Sequence, residues 1–305
     1  MTQARVPRRA LHGVLLLDKP LGWSSNDALQ KVKGLLRAEK GGHTGTLDPL
    51  ATGLLPLCFG AATKFAQASL DADKRYEATL HLGCRTTTGD REGEVAEERP
   101  VDFGAERIDE VLAAMRGPQR QRPPMHSALK VQGRALYEYA RAGIEVEREP
   151  RDVTLHAIDR LAWQPPMLTI DVRCSKGTYV RTLAEDIGAA LGCGAHLAAL
   201  RRTGSGALEV ADAITIDALQ ALPDDARIAR LLPPDVLVGG WPAVSLEPDD
   251  AGRFLCGLRR RTRLADAATV RVYGSGAFLG SAHITAGELI PDRLLSPTEV
   301  EALAA

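Results

Sequence analysis

Residues 41–53 gather Gly41, Gly42, Gly45 and Gly53 around His43, Asp48 and Pro49, a stretch too irregular to be core, and the rest of the chain has to be organised around it. Glycine lets a backbone turn with positive φ or lie close against a ligand, and Pro49 pushes Asp48 toward an extended conformation. The Asp48 carboxylate is thus held on a stiff turn. Composition alone describes the same stretch as an ordinary glycine-rich loop with an Asp-Pro turn.

The flanking segments carry clear periods. Gly13 to Leu17 reads as a buried strand ending in the turn Asp18 to Gly22, where Lys19 either holds a phosphate or caps the turn. Ser24, Ser25 and Asn26 offer caps for a helix from about Asp27 to Arg37. Leu54 to Phe59 reads as a strand and Thr63 to Leu70 as a short helix. Lys74 to Leu82 alternates, with Tyr76, Ala78, Leu80 and Leu82 on one face, a pattern that by itself makes Tyr76 a core ring.

Ala105 to Met115 has the spacing of a helix, and then the pattern stops. From Arg116 to Gly133 the chain is rich in Arg, Gln and Pro, which reads as a mobile, RNA-facing arm. Val153 to Trp163 and Leu168 to Cys174 read as strands, Tyr179 to Leu191 as a helix, and His196 to Leu200 as a further strand. Arg181 falls off that helix's apolar face near its N-terminus, where the macrodipole disfavours a cation, so an acid should face it. Pro223 to Pro242 reads as a linker, which sets a boundary near residue 240. Beyond it, Thr269 to Tyr273 and Gly276 to Ile284 suggest a small β-rich module, with Ser296 to Ala305 a last helical turn or a frayed end.

With 305 residues and 45% hydrophobic content, the chain can bury a large core. The segment Met1 to Pro20 lacks the apolar run of a secretory leader, and no window approaches the roughly 18 apolar residues of a membrane helix, so a cytoplasmic protein with no membrane partner is expected. Five scattered cysteines argue for reduced thiols, and they stand as isolated as His43, His81 and His126, which predicts no metal site. No P-loop pattern is present. A net charge of −1 does not announce nucleic acid, yet Arg clusters at Arg116 to Arg122, Arg148 and Arg151, Arg201 and Arg202, and Arg259 to Arg263. Each cluster is as readily a solvated face as a phosphate site.

Certain residues carry more than composition: Asp18-Lys19-Pro20-x-Gly22, His43-Thr44-Gly45-Thr46-Leu47-Asp48-Pro49-x-Ala51-Thr52-Gly53, and Lys74-x-Tyr76. To these add Thr88-Gly89-Asp90 with Gly93, Ser127-Ala128-Leu129-Lys130, Ser175-Lys176-Gly177-Thr178-Tyr179-Val180-Arg181-Thr182-Leu183, and Leu200-Arg201-Arg202-Thr203. In these motifs and their order the chain resembles the bacterial TruB-type tRNA pseudouridine-55 synthases. The resemblance implies an α+β pseudouridine synthase fold: a mixed, mainly antiparallel central sheet with flanking helices and a thumb insertion at about 116–151. It implies a catalytic domain over 1–240 and a small PUA-like RNA-binding module over 243–305.

It further implies isomerisation of uridine 55 in the tRNA T-arm to its C-glycoside, after base flipping and without a cofactor. Asp48 resembles the family's catalytic carboxylate, acting as nucleophile or as partner of an oxocarbenium or glycal, and Arg181 the cation that keeps it ionised. Tyr76 resembles the ring stacked on the displaced base, Tyr179 a polar contact beside it, and Leu200 an apolar wall. His43 resembles the residue that fills the space left by the extruded nucleotide. Lys19, Lys64, Asp90 and Arg202 complete the expected substrate-binding set. The implied partner is tRNA alone, bound by a monomer that needs no other protein.

Three other readings compete: a non-catalytic RNA binder, a guide-RNA-dependent relative of the dyskerin type, and a nucleoside hydrolase. An anion in the groove argues against the first. The arm at 116–151 favours a stand-alone enzyme over the second, and the third would leave an abasic product.

Overall fold

The computed structural model describes residues 7–127 and 129–304. Residues 1–6 of the segment read for a leader, Ala128 of the Ser127 to Lys130 motif, and Ala305 lie outside the described residues.

Strand β1 (Gly13–Lys19) feeds helix α1 (Ser25–Leu36), whose first turn is capped by Ser24 accepting the Asp27 amide at 3.1 Å. At helical spacing, Ala28, Leu29, Val32 and Leu36 pack onto Leu15, Leu17, Leu55 and Leu57. Next comes β2 (Gly41–His43), paired antiparallel with β3 (Ala51–Phe59), and Asp48 sits in the connection between them. A 3-10 turn over Gly60–Phe65 leads into α2 (Ala66–Asp71) and then β4 (Lys74–Leu82). The hairpin β5 (Cys84–Thr86) and β6 (Val95–Glu98) is followed by α3 (Ala105–Ala114) and β7 (Gly117–Gln121).

An excursion then carries β8 (Lys130–Val131), β9 (Arg134–Ala135) and α4 (Leu136–Arg141). The chain returns through β10 (Arg151–Gln164), β11 (Met167–Cys174), α5 (Val180–Leu191) and β12 (Ala195–Ser205). Short strands β13 (Leu208–Glu209) and β14 (Ile214–Thr215) precede α6 (Ile216–Ala221) and α7 (Asp224–Ile228).

These strands form one sheet in the order β14-β1-β3-β12-β4-β11-β10-β7, with β2 added to β3 and β13 to β12. Along that path the pairings are antiparallel except β1 with β14 and β3 with β12. The sheet is therefore mixed and mainly antiparallel. Helices α3 and α5 cover one face, packing Ile108, Leu112, Leu183 and Ile187 against Leu80, Ile170 and Leu197. Each such buried side chain contributes about 1.5–3 kcal/mol. Where β3 meets β12, Gly53 lies opposite Arg202 with φ +98°, and a Cβ there would come within 2.3 Å of the Arg202 carbonyl. Close approach of two strands, not a ligand, requires that glycine.

A second, five-stranded sheet follows: β15 (Ala243–Leu246), β16 (Arg260–Arg261), β17 (Ala267–Gly274), β18 (Ala277–Thr285) and β19 (Glu288–Leu294), with α8 (Pro248–Leu255) and α9 (Pro297–Ala304). Phe278 and Leu295 pack with Phe65, the two phenylalanine rings 5.1 Å apart between centroids.

Two sequence expectations give way. Residues 117–121, expected to be part of a mobile arm, form the edge strand β7, paired with Arg151–Leu155; the excursion proper is confined to 122–150. The segment 223–242, expected to be a linker, is packed: Asp224 pairs with Arg9 and Arg37, and Leu237 and Val238 are buried with Val14, Leu16 and Leu54. Prolines there start a 3-10 turn (Pro234–Val238) instead of loosening the chain.

Candidate active site

The connection between β2 and β3 is fixed before any functional group is considered. Buried Ser25, at the start of α1, accepts the Leu47 amide at 2.8 Å and donates to the Leu47 carbonyl at 3.1 Å. One residue on, the Asp48 carbonyl accepts the Ala51 amide at 3.0 Å, which closes the turn onto β3. The carboxylate of Asp48 projects from this anchored turn with its side chain 42% exposed.

Opposite stands Arg181, in the first turn of α5 and only 6% exposed. Its Nη2 lies 3.0 Å from Asp48 Oδ2, and its Nη1 lies 3.3 Å from Asp90 Oδ2. Nη2 also donates to the His126 carbonyl. The acid expected from the sequence is thus two acids, and the cation off the apolar face is buried because both carboxylates meet it beneath the helix. Asp90 is itself held by Thr88 Oγ1 at 2.6 Å and the Glu92 amide at 3.1 Å. A guanidinium between a fixed buried acid and a solvent-facing one pairs with the second and holds it in place.

The pair opens into a cavity of about 390 Å³, within the roughly 300–1,000 Å³ usual for small-ligand clefts. Its walls include Asp48, Tyr76, Tyr179, Arg181, Leu200 and Arg202, all of them candidates from the sequence. Three adjacent strands and one helix start therefore converge: Tyr76 from β4, Leu200 and Arg202 from β12, Asp48 leading into β3, and Tyr179 capping α5. Among the cavity-lining residues Asp48 is the acid. Burial pushes the Tyr76 hydroxyl up from its ordinary pKa, opposed by the charge of Arg202, and burial likewise raises that of Tyr179. Both phenols stay neutral donors at neutral pH.

Arg202 is fully enclosed and donates through Nε to the Leu54 carbonyl at 2.7 Å and through Nη2 to the Gly45 carbonyl at 3.3 Å. It clamps the glycine loop to the sheet while lending positive charge to the cavity. Four expected contacts fall elsewhere. Lys19 has no exposed surface, and its ammonium donates to the Pro20 and Trp23 carbonyls at 2.9 and 2.7 Å. Of the two roles open to it, the structure gives the turn cap; burial brings its pKa down to about 8 against the upward pull of Asp48.

Asp90 lies behind Arg181, 3% exposed and off the cavity wall, paired with the guanidinium. Lys64 donates to the Leu294 carbonyl at 3.0 Å and to Glu299 at 2.5 Å, tying the 3-10 turn to α9 well outside the cavity. His43, on β2 opposite Leu57, is not on the cavity wall; its Nδ1 is buried without a hydrogen-bond partner among the described residues. Burial, then the charge of Arg202, lowers its pKa and favours the neutral ring.

Other contacts emerge only from the structure. Lys74 caps the end of α2 through the Ser69, Leu70 and Ala72 carbonyls at 2.9, 2.8 and 2.6 Å, and burial brings it down to about 8. Gln121, at the end of β7, bonds both backbone polar groups of Tyr179. An x-Gln before Arg-Pro-Pro gives no sequence signal for that. The expectation that histidines and cysteines stand isolated also fails: His81, Cys84 and His196 come together, with ligand atoms within 4.8 Å of one another.

Known proteins resemble this chain along its length. A family model described as TruB family pseudouridylate synthase, N-terminal domain, matches residues 33–180. A tRNA pseudouridylate synthase B C-terminal domain model matches 181–237, and a pseudouridine synthase II TruB C-terminal model matches 242–295. The chain is 56% identical over 313 residues to the tRNA pseudouridine synthase B of Verminephrobacter eiseniae, covering 100% of this chain and 95% of that one. It is 57% identical to the protein of the same name from Burkholderia lata, covering 95% and 92%. Among solved structures, a chain of a Cbf5-Nop10-Gar1 complex matches with a TM-score of 0.76 at 24% identity, over 95% of this chain and 87% of that one, which is a likeness of fold.

Proposed function

The chain belongs to the TruB family of pseudouridylate synthases, and from that premise we propose that it isomerises uridine 55 in the T-arm of tRNA to pseudouridine. The observation that carries the reading is the carboxylate of Asp48 held 3.0 Å from buried Arg181 at the mouth of a cavity walled by Tyr76, Tyr179 and Leu200. The reaction breaks the bond from C1′ to N1, turns the uracil, forms the bond from C1′ to C5, releases the C5 proton and returns a proton to N1. No atom is gained and no electron changes hands.

Asp48 serves as the nucleophile or as the charge partner of the electron-poor sugar, and Arg181 pairs with it and orients it. Tyr76 offers a ring for the detached base to stack on and a neutral hydroxyl, while Leu200 supplies apolar surface against water. Reaching the base costs a few kcal/mol of stacking, which contacts from the 122–150 excursion and from the 243–305 module offset. We take residues 1–240 as the catalytic domain and 243–305 as an RNA-binding module. Among the described residues no helix is long and apolar enough to cross a membrane; we place the protein in the cytoplasm, acting on tRNA as a monomer without a protein partner.

The test is to incubate the protein with unmodified tRNA and map pseudouridine by carbodiimide labelling. A single new mark at position 55 is expected. An unmarked tRNA, or free uracil with an abasic site, would overturn the reading.

A further inference from the structure

We propose that His81, Cys84 and His196 form a structural zinc-binding site at the end of β4 remote from the cavity. Strand β4 continues five positions from Tyr76 to His81, about 17 Å at strand rise, so this cluster is separate from the Asp48 centre. His81 and His196 are directly opposed on the antiparallel β4 and β12, with rings 5.1 Å apart between centroids and inclined at 67°. Cys84 follows β4 after one turn residue and opens β5, so three elements meet at one point.

The side-chain chemistry suits a borderline divalent ion. His196 Nδ1 lies 2.9 Å from the Cys84 carbonyl; a carbonyl accepts, so Nδ1 carries the hydrogen and Nε2 keeps its lone pair. That is the arrangement by which metal-binding imidazoles are oriented. The three ligand atoms lie within 4.8 Å of one another, whereas a tetrahedron with bonds of zinc length has edges of roughly 3.4–3.8 Å. Closing that gap calls for side-chain movements of about an ångström. Glu98 is the cross-strand partner of Cys84, and its charge is felt by both His81 and Cys84; its carboxylate lies outside the 4.8 Å cluster and would swing in to fill the fourth position. Two imidazoles, a thiolate and a carboxylate favour Zn²⁺ over Mg²⁺ or Ca²⁺.

Such an ion would pin β4, β12 and the β5–β6 hairpin together. It would thereby brace the 86–93 turn, which bridges to Leu197 and carries Asp90 beneath Arg181. On binding, the Cys84 thiol gives its proton to solvent and the thiolate takes the metal; nothing is oxidised.

The experiment uses the full chain, stripped of metal under reducing conditions and titrated with Zn²⁺ and, separately, Co²⁺. One equivalent of Zn²⁺ per chain is expected, with Tm rising by several degrees, and the Co²⁺ form should show a thiolate-to-cobalt charge-transfer band. Cys84→Ser should abolish that band and weaken Zn²⁺ by at least about tenfold, while Cys256→Ser, at an exposed cysteine, leaves both intact. If Cys84→Ser does not fold, His81→Ala, at a half-exposed position, decides the matter through the same Zn²⁺ titration. Absence of stoichiometric binding, a band that survives Cys84→Ser or vanishes with Cys256→Ser, or unweakened Zn²⁺ in His81→Ala would overturn the proposal.

Discussion

Gln121 grips Tyr179 by its backbone: its side-chain oxygen accepts the Tyr179 amide at 3.0 Å and its nitrogen donates to the Tyr179 carbonyl at 3.4 Å. The last residue of β7 therefore fixes the residue that caps α5 and walls the cavity, so the root of the excursion is tied to the start of α5. Gln121→Leu removes both bonds and leaves a buried amide unpaired, which should cost about 1–3 kcal/mol in urea denaturation. A similar displacement of Tyr179 and Arg181 should lower kcat/KM by about tenfold; an unchanged kcat/KM would detach Gln121 from the site.

Asp48→Asn keeps the turn, because Ser25 and the Ala51 amide hold its backbone. It removes the charge facing Arg181. Isomerisation of a T-arm stem-loop, read as tritium release from C5-labelled uridine, should fall to background while RNA binding stays within a few-fold. Turnover like that of the wild type would remove Asp48 from the chemistry.

Asp90→Ala leaves Arg181 with the solvent-facing Asp48 as its acid and no buried counter-charge among the described residues. Breaking one side of a buried pair costs about 3–5 kcal/mol, so denaturant midpoints should drop clearly. Because Asp90 works through Arg181, kcat should fall more than KM rises. Asp90→Asn, which retains the shape and part of the hydrogen bonding to Thr88 and Glu92, should recover most of the stability and less of the kcat.

Lys19 gives a pH signature. Its pKa is about 8 in the folded chain against an ordinary 10.5, so between these values the unfolded state binds more protons and stability rises with pH. The contribution is complete above 10.5 and is lost as pH falls through about 8. Relative to Lys19→Met, the wild type should therefore gain stability from pH 8 toward 10.5, with an upper bound of about 3 kcal/mol. A flat difference in urea midpoints across that window would contradict the buried ammonium.

On the excursion, Lys130 and Arg141 are exposed and lack an acidic partner among the described residues, whereas Arg134 and Arg148 are paired with Glu138 and Glu145. Replacing these two by Gln should weaken tRNA binding and reduce the slope of log K against log salt by about 0.7–0.9 for each phosphate that is no longer neutralised. An unaltered slope would mean that the excursion meets RNA without them.

The long elements are legible in the sequence wherever one face is buried: α1, β4, β11 and α5 show their periods because each presents an apolar stripe to the core. Strand β7 is hidden, since Gly117 to Gln121 lies at the sheet edge with side chains largely exposed or half-exposed and has no apolar alternation to show. Residues 223–242 mislead because proline marks both linkers and 3-10 turns, and only packing against Val14 and Leu54 separates the two. In the site, Asp48 stands out from its glycine loop, but the burial of Arg181 depends on Asp90 arriving from a separate turn. His81 and His196 meet through the register of β4 on β12, which no local pattern encodes.

The position of β12 between β3 and β4 has a consequence for synthesis. A nascent chain can pair β1 with β3 early, yet the slot beside β3 stays empty until residues 195–205 have left the ribosome. Leu200 and Arg202, the last of the cavity-lining residues to be made, then join Asp48 and Tyr76. Such late, long-range closure is slow, and it means that a polypeptide released before residue 200 carries the acid but lacks two walls of its cavity.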